Sequence, residues 1–212
     1  MSLVDRIWSY IGDDDGEDGP EERLLRYYAD KPGRVFDTLG GGGDRLESRD
    51  TFMPDDVVAV ALLSVDIPPR AILTILDAKS EELTDLLREI PAEVNLWEAE
   101  RGVVGPGSPA DRLWSELEAI PGIGWVTAGK LLARKRPQLI PVFDRVIRAC
   151  LMPTQSNRWW VSLWDAFDRD RRIISRLADL KEAAELPAQV SLLRVLDVAV
   201  WMTSQDPDGR AA

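Results

Sequence analysis

The sequence predicts an all-α protein, an orthogonal helical bundle with an irregular N-terminal segment. Two observations point there. From Pro54 onward apolar residues recur at three- and four-residue spacing, as one face of a helix requires. Prolines, glycines and capping residues interrupt that pattern at short intervals, so helix follows helix with little connecting chain. The chain has no set of strands from which to build a parallel sheet.

Residues 1–11 form a short amphipathic helix in this reading, with Leu3, Val4, Ile7, Trp8 and Ile11 on one side. The tract GDDDGEDGPEE, 12–22, is a solvated acidic linker, or a shield for a basic surface. Residues 21–28 add a helical turn or two. The stretch 31–51, with Pro32-Gly33, Val35-Phe36 and the glycines 40 to 43, reads as irregular chain with one short strand pair about a loop. Helices then start at Pro54-Asp55-Asp56, at Pro68-Pro69 and at Ser80-Glu81-Glu82. A short segment, 92–98, carries Trp97. The loop GVVGPG, 102–107, leads to a helix that begins at Ser108-Pro109 and carries Leu113, Trp114, Leu117 and Ile120. Beyond Met152 an apolar face runs over 159–184 and breaks near Asp168-Arg169-Asp170. A last helix follows Pro187. The expected organisation is an N-terminal part over 1–52, a helical domain over 53–203 with its hairpin at 120–125, and a frayed tail over 204–212.

Composition removes several chemistries. The chain of 212 residues has one cysteine, Cys150, and no histidine, which excludes an internal disulfide, a cysteine zinc site, a four-cysteine iron–sulfur cluster and any Ser-His or Cys-His catalytic pair. No cofactor or metal is expected. The apolar runs are too short to cross a bilayer and the N-terminus lacks a secretion signal, so a soluble cytoplasmic protein is expected.

Charge is unevenly spread. The net charge is −11, yet residues 1–100 hold 24 acids and 10 bases while 101–212 hold 13 acids and 16 bases. Lys130, Arg134, Lys135, Arg136, Arg145 and Arg148 crowd around one acid, Asp144. A protein partner could meet the acidic N-terminal half, and a polyanion the basic segment.

The sharpest local signal is Ile120-Pro121-Gly122-Ile123-Gly124. Pro121 ends one helix, the glycines accept backbone angles closed to other residues, and a new helix begins at Trp125. Such a turn presents unpaired N–H groups at a helix N-terminus, a geometry that binds phosphate. With Thr127-Ala128 and Leu131-Leu132-Ala133, the segment resembles the helix-hairpin-helix DNA-binding element. Ile140-Pro141-Val142-Phe143-Asp144, followed by Val146, Arg148 and Cys150, resembles the endonuclease-III-like DNA glycosylases. The run from Asp55 to Met202 is also similar to an uncharacterised bacterial family.

The resemblance implies that Gly122, Ile123 and Gly124, with Lys130, Arg134, Lys135, Arg136 and Arg145, contact duplex DNA. It implies that Asp144 is catalytic, stabilising a sugar cation or activating water after a base is flipped out. The position of the lyase nucleophile falls on Val126, so a glycosylase without lyase activity is implied. Aligning on Val142, Val146, Arg148 and Cys150 instead puts Phe143 at the aspartate's place. Asp144 also suits the N-cap of the next helix. A non-catalytic module of the same fold, recognising DNA structure or a protein, is the alternative.

Three further patterns have plainer readings. Gly124 to Lys130 has the spacing of a nucleotide-binding loop, but Leu131 replaces its hydroxyl residue and no strand precedes it, so no nucleotide cofactor is expected. Asp55 with Asp77 and Lys79 has the letters of a nuclease core, yet Asp55 fits a helix cap. Of the tryptophans after Arg158, Trp160 and Trp164 fit a core and Trp159 an exposed stacking platform.

Overall fold

The computed structural model describes residues 1–12, 18–152 and 159–205, and among them the secondary structure is helical throughout. The α-helices are α1 Leu3–Ile11, α2 Pro20–Asp30, α3 Pro54–Ala61, α4 Pro69–Leu73, α5 Ser80–Arg88, α6 Pro109–Glu118, α7 Trp125–Lys135, α8 Arg145–Leu151, α9 Trp160–Arg169, α10 Arg172–Ala183 and α11 Leu192–Gln205. Short 3-10 helices lie at Pro32–Val35, Leu39–Gly41 and Arg101–Val104, and a π turn, Thr74–Ala78, extends α4. Residues 13–17 of the acidic tract, Arg158 and most of the tail lie outside the described residues.

Local sequence explains the helix starts. Ser2 accepts from the Asp5 amide while Asp5 reaches back to the Ser2 N–H at 2.9 Å, the reciprocal bonding of a capping box. Ser108 accepts from the Asp111 amide at the head of α6. At the head of α3 the carboxylate that reaches back is Asp56, which accepts from Met53 N at 2.9 Å; Asp55 instead pairs with Arg45 at 2.7 Å. The cap expected of Asp55 therefore belongs to its neighbour.

Two layers meet around α11, whose Val195, Leu196, Val198, Ala199 and Val200 are buried. Helices α1, α2, α8 and α10 pack on it, so the N-terminal residues share one core with the rest of the chain. Helix α7 is the second buried rod, lodged between α3 and α6.

The stretch 31–51 forms no strand pair. Its backbone folds into 3-10 turns that lie on α7, and at Gly43 an added Cβ would stand 2.2 Å from the Arg134 carbonyl oxygen. That close approach is what glycine permits there.

Candidate functional site

The basic segment is turned inward. Arg134 Nε donates to Asp56 Oδ1 at 3.0 Å, and its other nitrogens reach the carbonyls of Phe36 and Leu39. Lys135 Nζ holds Asp56 Oδ2 at 3.0 Å and the Ser48 carbonyl at 2.8 Å. Arg136 bonds Asp50 and the carbonyls of Leu87, Ile90 and Arg49. All three side chains are buried, as is Lys130. The expectation that Lys130, Arg134, Lys135 and Arg136 meet DNA phosphate is thus corrected: all four are internal cations, of which Arg134, Lys135 and Arg136 tie the loops of 36–50 to the end of α7 and Lys130 holds the Leu63 carbonyl and Asp144. Ile123 is buried as well, leaving Gly122, Gly124 and Arg145 exposed among the residues assigned to DNA.

The turn meets the backbone expectation at Gly122 and departs from it at Gly124. Ile123 N bonds the Ile120 carbonyl at 2.9 Å, and Gly122 takes φ +91°, a region that disfavours a Cβ. Gly124 is extended at φ −93° and caps α7 with no side-chain bond, so the first amides of that helix keep no capping acceptor. Gly124, Trp125, Val126 and Thr127 form one wall of a cavity of about 550 Å³.

The other walls bring distant pieces together. Tyr27 and Lys31 come from the end of α2, Leu63 to Asp66 from the turn after α3, Asp144 to Val146 from the start of α8, and Arg194, Asp197 and Trp201 from α11. Ser64 in that turn holds φ +60°, an uncommon angle for a residue with a side chain.

Asp144 caps α8. Its Oδ1 accepts from Val146 N at 2.9 Å and Ile147 N at 3.0 Å. Its Oδ2 lies 3.5 Å from Lys130 Nζ, which also donates to the Leu63 carbonyl at 2.8 Å. One oxygen is therefore fixed by backbone and the other is paired at the cavity wall, so capping and chemistry are compatible in one side chain. Burial pushes the Lys130 ammonium below its ordinary value, and Asp144 opposes that shift.

A second carboxylate, Asp197, lines the same cavity. Its Oδ2 takes a hydrogen bond from Arg194 NH1, while Arg194 also donates to the Tyr27 hydroxyl at 2.5 Å and pairs with Asp37 at 3.4 Å. Burial, with the nearby Asp144 charge, pushes Asp197 up to about 6 despite Arg194. Thr127, buried on the α7 wall, makes no side-chain hydrogen bond among the described residues. The enclosure thus joins the ammonium groups of Lys31 and Lys130, the carboxylates of Asp66, Asp144 and Asp197, the hydroxyls of Tyr27, Ser64 and Thr127, and aromatic surface, a set suited to holding a polar ring and moving protons.

Trp159 is no exposed platform. It is 1% exposed and stacks on Phe143 at a centroid distance of 4.7 Å, and Phe143 in turn meets Trp125. This aromatic row packs behind the strand of chain that delivers Asp144. Asp197, Arg194, Tyr27 and Ser64 were invisible as site residues in the sequence. The one signal was an aspartate and an arginine three apart on an otherwise apolar helix, which must be paired if both are buried.

Among the described residues no cluster of acidic or cysteine side chains is placed to hold a metal, and no helix is long and apolar enough to cross a membrane. Fold and cavity define an all-α protein whose polar pocket is walled by a glycine hairpin, a capped helix start and a central helix. The chain belongs to DUF6308, a family of unknown function that matches residues 20–204 and so takes in every residue of the cavity lining. No curated protein and no solved structure matches the chain.

Proposed function

We propose that this protein binds DNA at the hairpin and admits an extruded base to the cavity, where Asp144 supports hydrolysis of the base–sugar bond. One observation carries the reading. The aspartate that follows the hairpin stands at the cavity wall with Oδ1 fixed by two amides and Oδ2 beside Lys130. A carboxylate so held can stabilise the cation that develops on a sugar as its base departs. The volume falls within the range of roughly 300–1,000 Å³ usual for ligand pockets. The exposed hairpin glycines and Arg145 are what remains to grip the backbone. Val126 stands where the resemblance places a lyase lysine, so strand cleavage is not part of the proposal.

The test is a titration with duplex DNA holding a pyrrolidine abasic analogue, whose cationic ring imitates the sugar in mid-reaction. Binding that falls steeply with salt, and that Asp144→Asn weakens, supports the reading. No binding at low salt by the full chain overturns it.

A second reading is favoured by the inward-facing cations. With Lys130, Arg134, Lys135 and Arg136 buried and a net charge of −11, the surface offers little to a polyanion. In this reading a small base-bearing ligand enters the same cavity alone. Tighter binding of a free nucleoside than of the duplex, followed through Trp125 fluorescence, would select it.

A further inference from the structure

The cavity holds a carboxylate that the reading above does not use. Asp197 Oδ2 is engaged by Arg194, but Oδ1 carries no hydrogen bond among the described residues. Asp197 is 5% exposed and lines the cavity, and its Oδ1 is not among the buried side-chain atoms left without a partner. Replacing Asp197 and Arg194 by apolar residues would fill the same space at lower cost. The pair instead stands at the wall of the cavity, with Oδ1 on the side left open.

Resting on the proposed base-release activity, we propose that Asp197 is the proton donor of the site, delivering a proton through Oδ1 to the departing base while Asp144 faces the sugar. The two carboxylates then divide the work. As the bond between C1′ and the base nitrogen breaks, its electron pair stays on the base, and the Asp197 proton joins that base. A water oxygen bonds to C1′, and the proton the water sheds passes to Asp144. Exchange with solvent returns Asp197 to its acid form and Asp144 to its anion. The net change is one water consumed, with a free base and a sugar hydroxyl formed.

The surroundings raise the proton affinity of this carboxyl. Near Asp197 are Arg194 on its own helix, Tyr27 and Tyr28 from α2, Lys130 from α7 and Asp144 from α8, with Asp37 on the far side of Arg194. The other helices packed on α11 spend their cations elsewhere: Arg6 of α1 on the Leu151 carbonyl, and Arg176 and Lys181 of α10 on the carbonyls of Ile11 and Val190. Arg194 is thus the strongest opposing charge, shared with Asp37, and burial outweighs it, leaving the group at about 6. A donor with a pKa near the working pH transfers a proton most effectively.

Two substrates separate a proton donor from a structural residue. A duplex with a single hypoxanthine has a neutral leaving base that needs a proton, whereas one with a single 7-methylguanine has a leaving base already cationic. With the wild-type chain, hypoxanthine release should fall as pH rises through about 6 and 7-methylguanine release should stay flat over that range. Asp197→Asn should lose about 10²-fold or more on hypoxanthine and stay within a few-fold on 7-methylguanine, with Asp197→Glu recovering part of the loss. Equal losses on both substrates, or none on either, would overturn the role of Asp197 while leaving base release intact. Release of neither base by the wild-type chain would overturn the base-release reading and the donor with it. If Asp197→Asn does not fold, the wild-type pH profiles decide: a flat hypoxanthine profile refutes the donor.

Discussion

Lys135 Nζ lies 3.0 Å from Asp56 Oδ2 with both side chains fully buried, and the preceding residue, Arg134, takes the other oxygen of the same carboxylate. A two-residue cationic run thus serves as an internal clamp. Burial lowers the Lys135 pKa and Asp56 raises it.

The clamp sets the first prediction. Removing the shared carboxylate strips two buried cations of it at once, so Asp56→Ala should cost about 3–5 kcal/mol of stability. Denaturant unfolding measures it. An unchanged midpoint would mean that these side chains are not structural.

The hairpin glycines should respond differently from each other. At Gly122, φ is +91° and an added Cβ would stand 2.7 Å from Pro68 Cγ. Gly122→Ala should therefore cost about 1–3 kcal/mol. Gly124 is extended and a Cβ there meets nothing within 4 Å. Gly124→Ser should be neutral or slightly stabilising, because the hydroxyl can cap an open amide of α7. Thermal melts of the two variants check the contrast.

For Asp144, stability and activity should separate. Asn keeps the cap bonds to Val146 and Ile147, whereas Ala loses them at a cost of about 0.5–2 kcal/mol. Base release should vanish in both. Residual release in Asp144→Asn would assign the residue to capping alone.

Two aspartates should give stability opposite dependences on pH. Asp170 accepts from Arg172 and from Trp8 Nε1 at 3.0 Å, bonds that hold its carboxyl well below the ordinary value of 3.8. Its contribution is present above 3.8 and is lost as pH falls through the lowered pKa. Asp197 is raised, so its contribution is present below 3.8 and is lost as pH rises through about 6. Melting temperature against pH in Asp170→Asn should lose the acid limb. In Asp197→Asn it should lose the decline between 4 and 6.

The sequence by itself determined the helical class, most helix starts and the turn at Gly122. Their signals are local: Ser108-Pro109 opens α6, Pro121 closes it, Gly122 takes the angle only glycine accepts readily, and Asp144 caps the amides two and three residues on. Helix ends near the π turn were less legible, since Pro69 to Ala78 has one continuous apolar pattern. Tertiary structure alone decided which charges face water. Arg134, Lys135 and Arg136 read as a phosphate-binding surface because their partners Asp56, Asp50 and the carbonyls of Phe36 and Ile90 lie 46 to 98 positions away in the chain. It also decided the cavity, which joins Tyr27, Lys130, Asp144 and Asp197 from four helices or their ends. The stabilisation of a buried charge depends on what folds against it, and no spacing of residues along the chain carries that information.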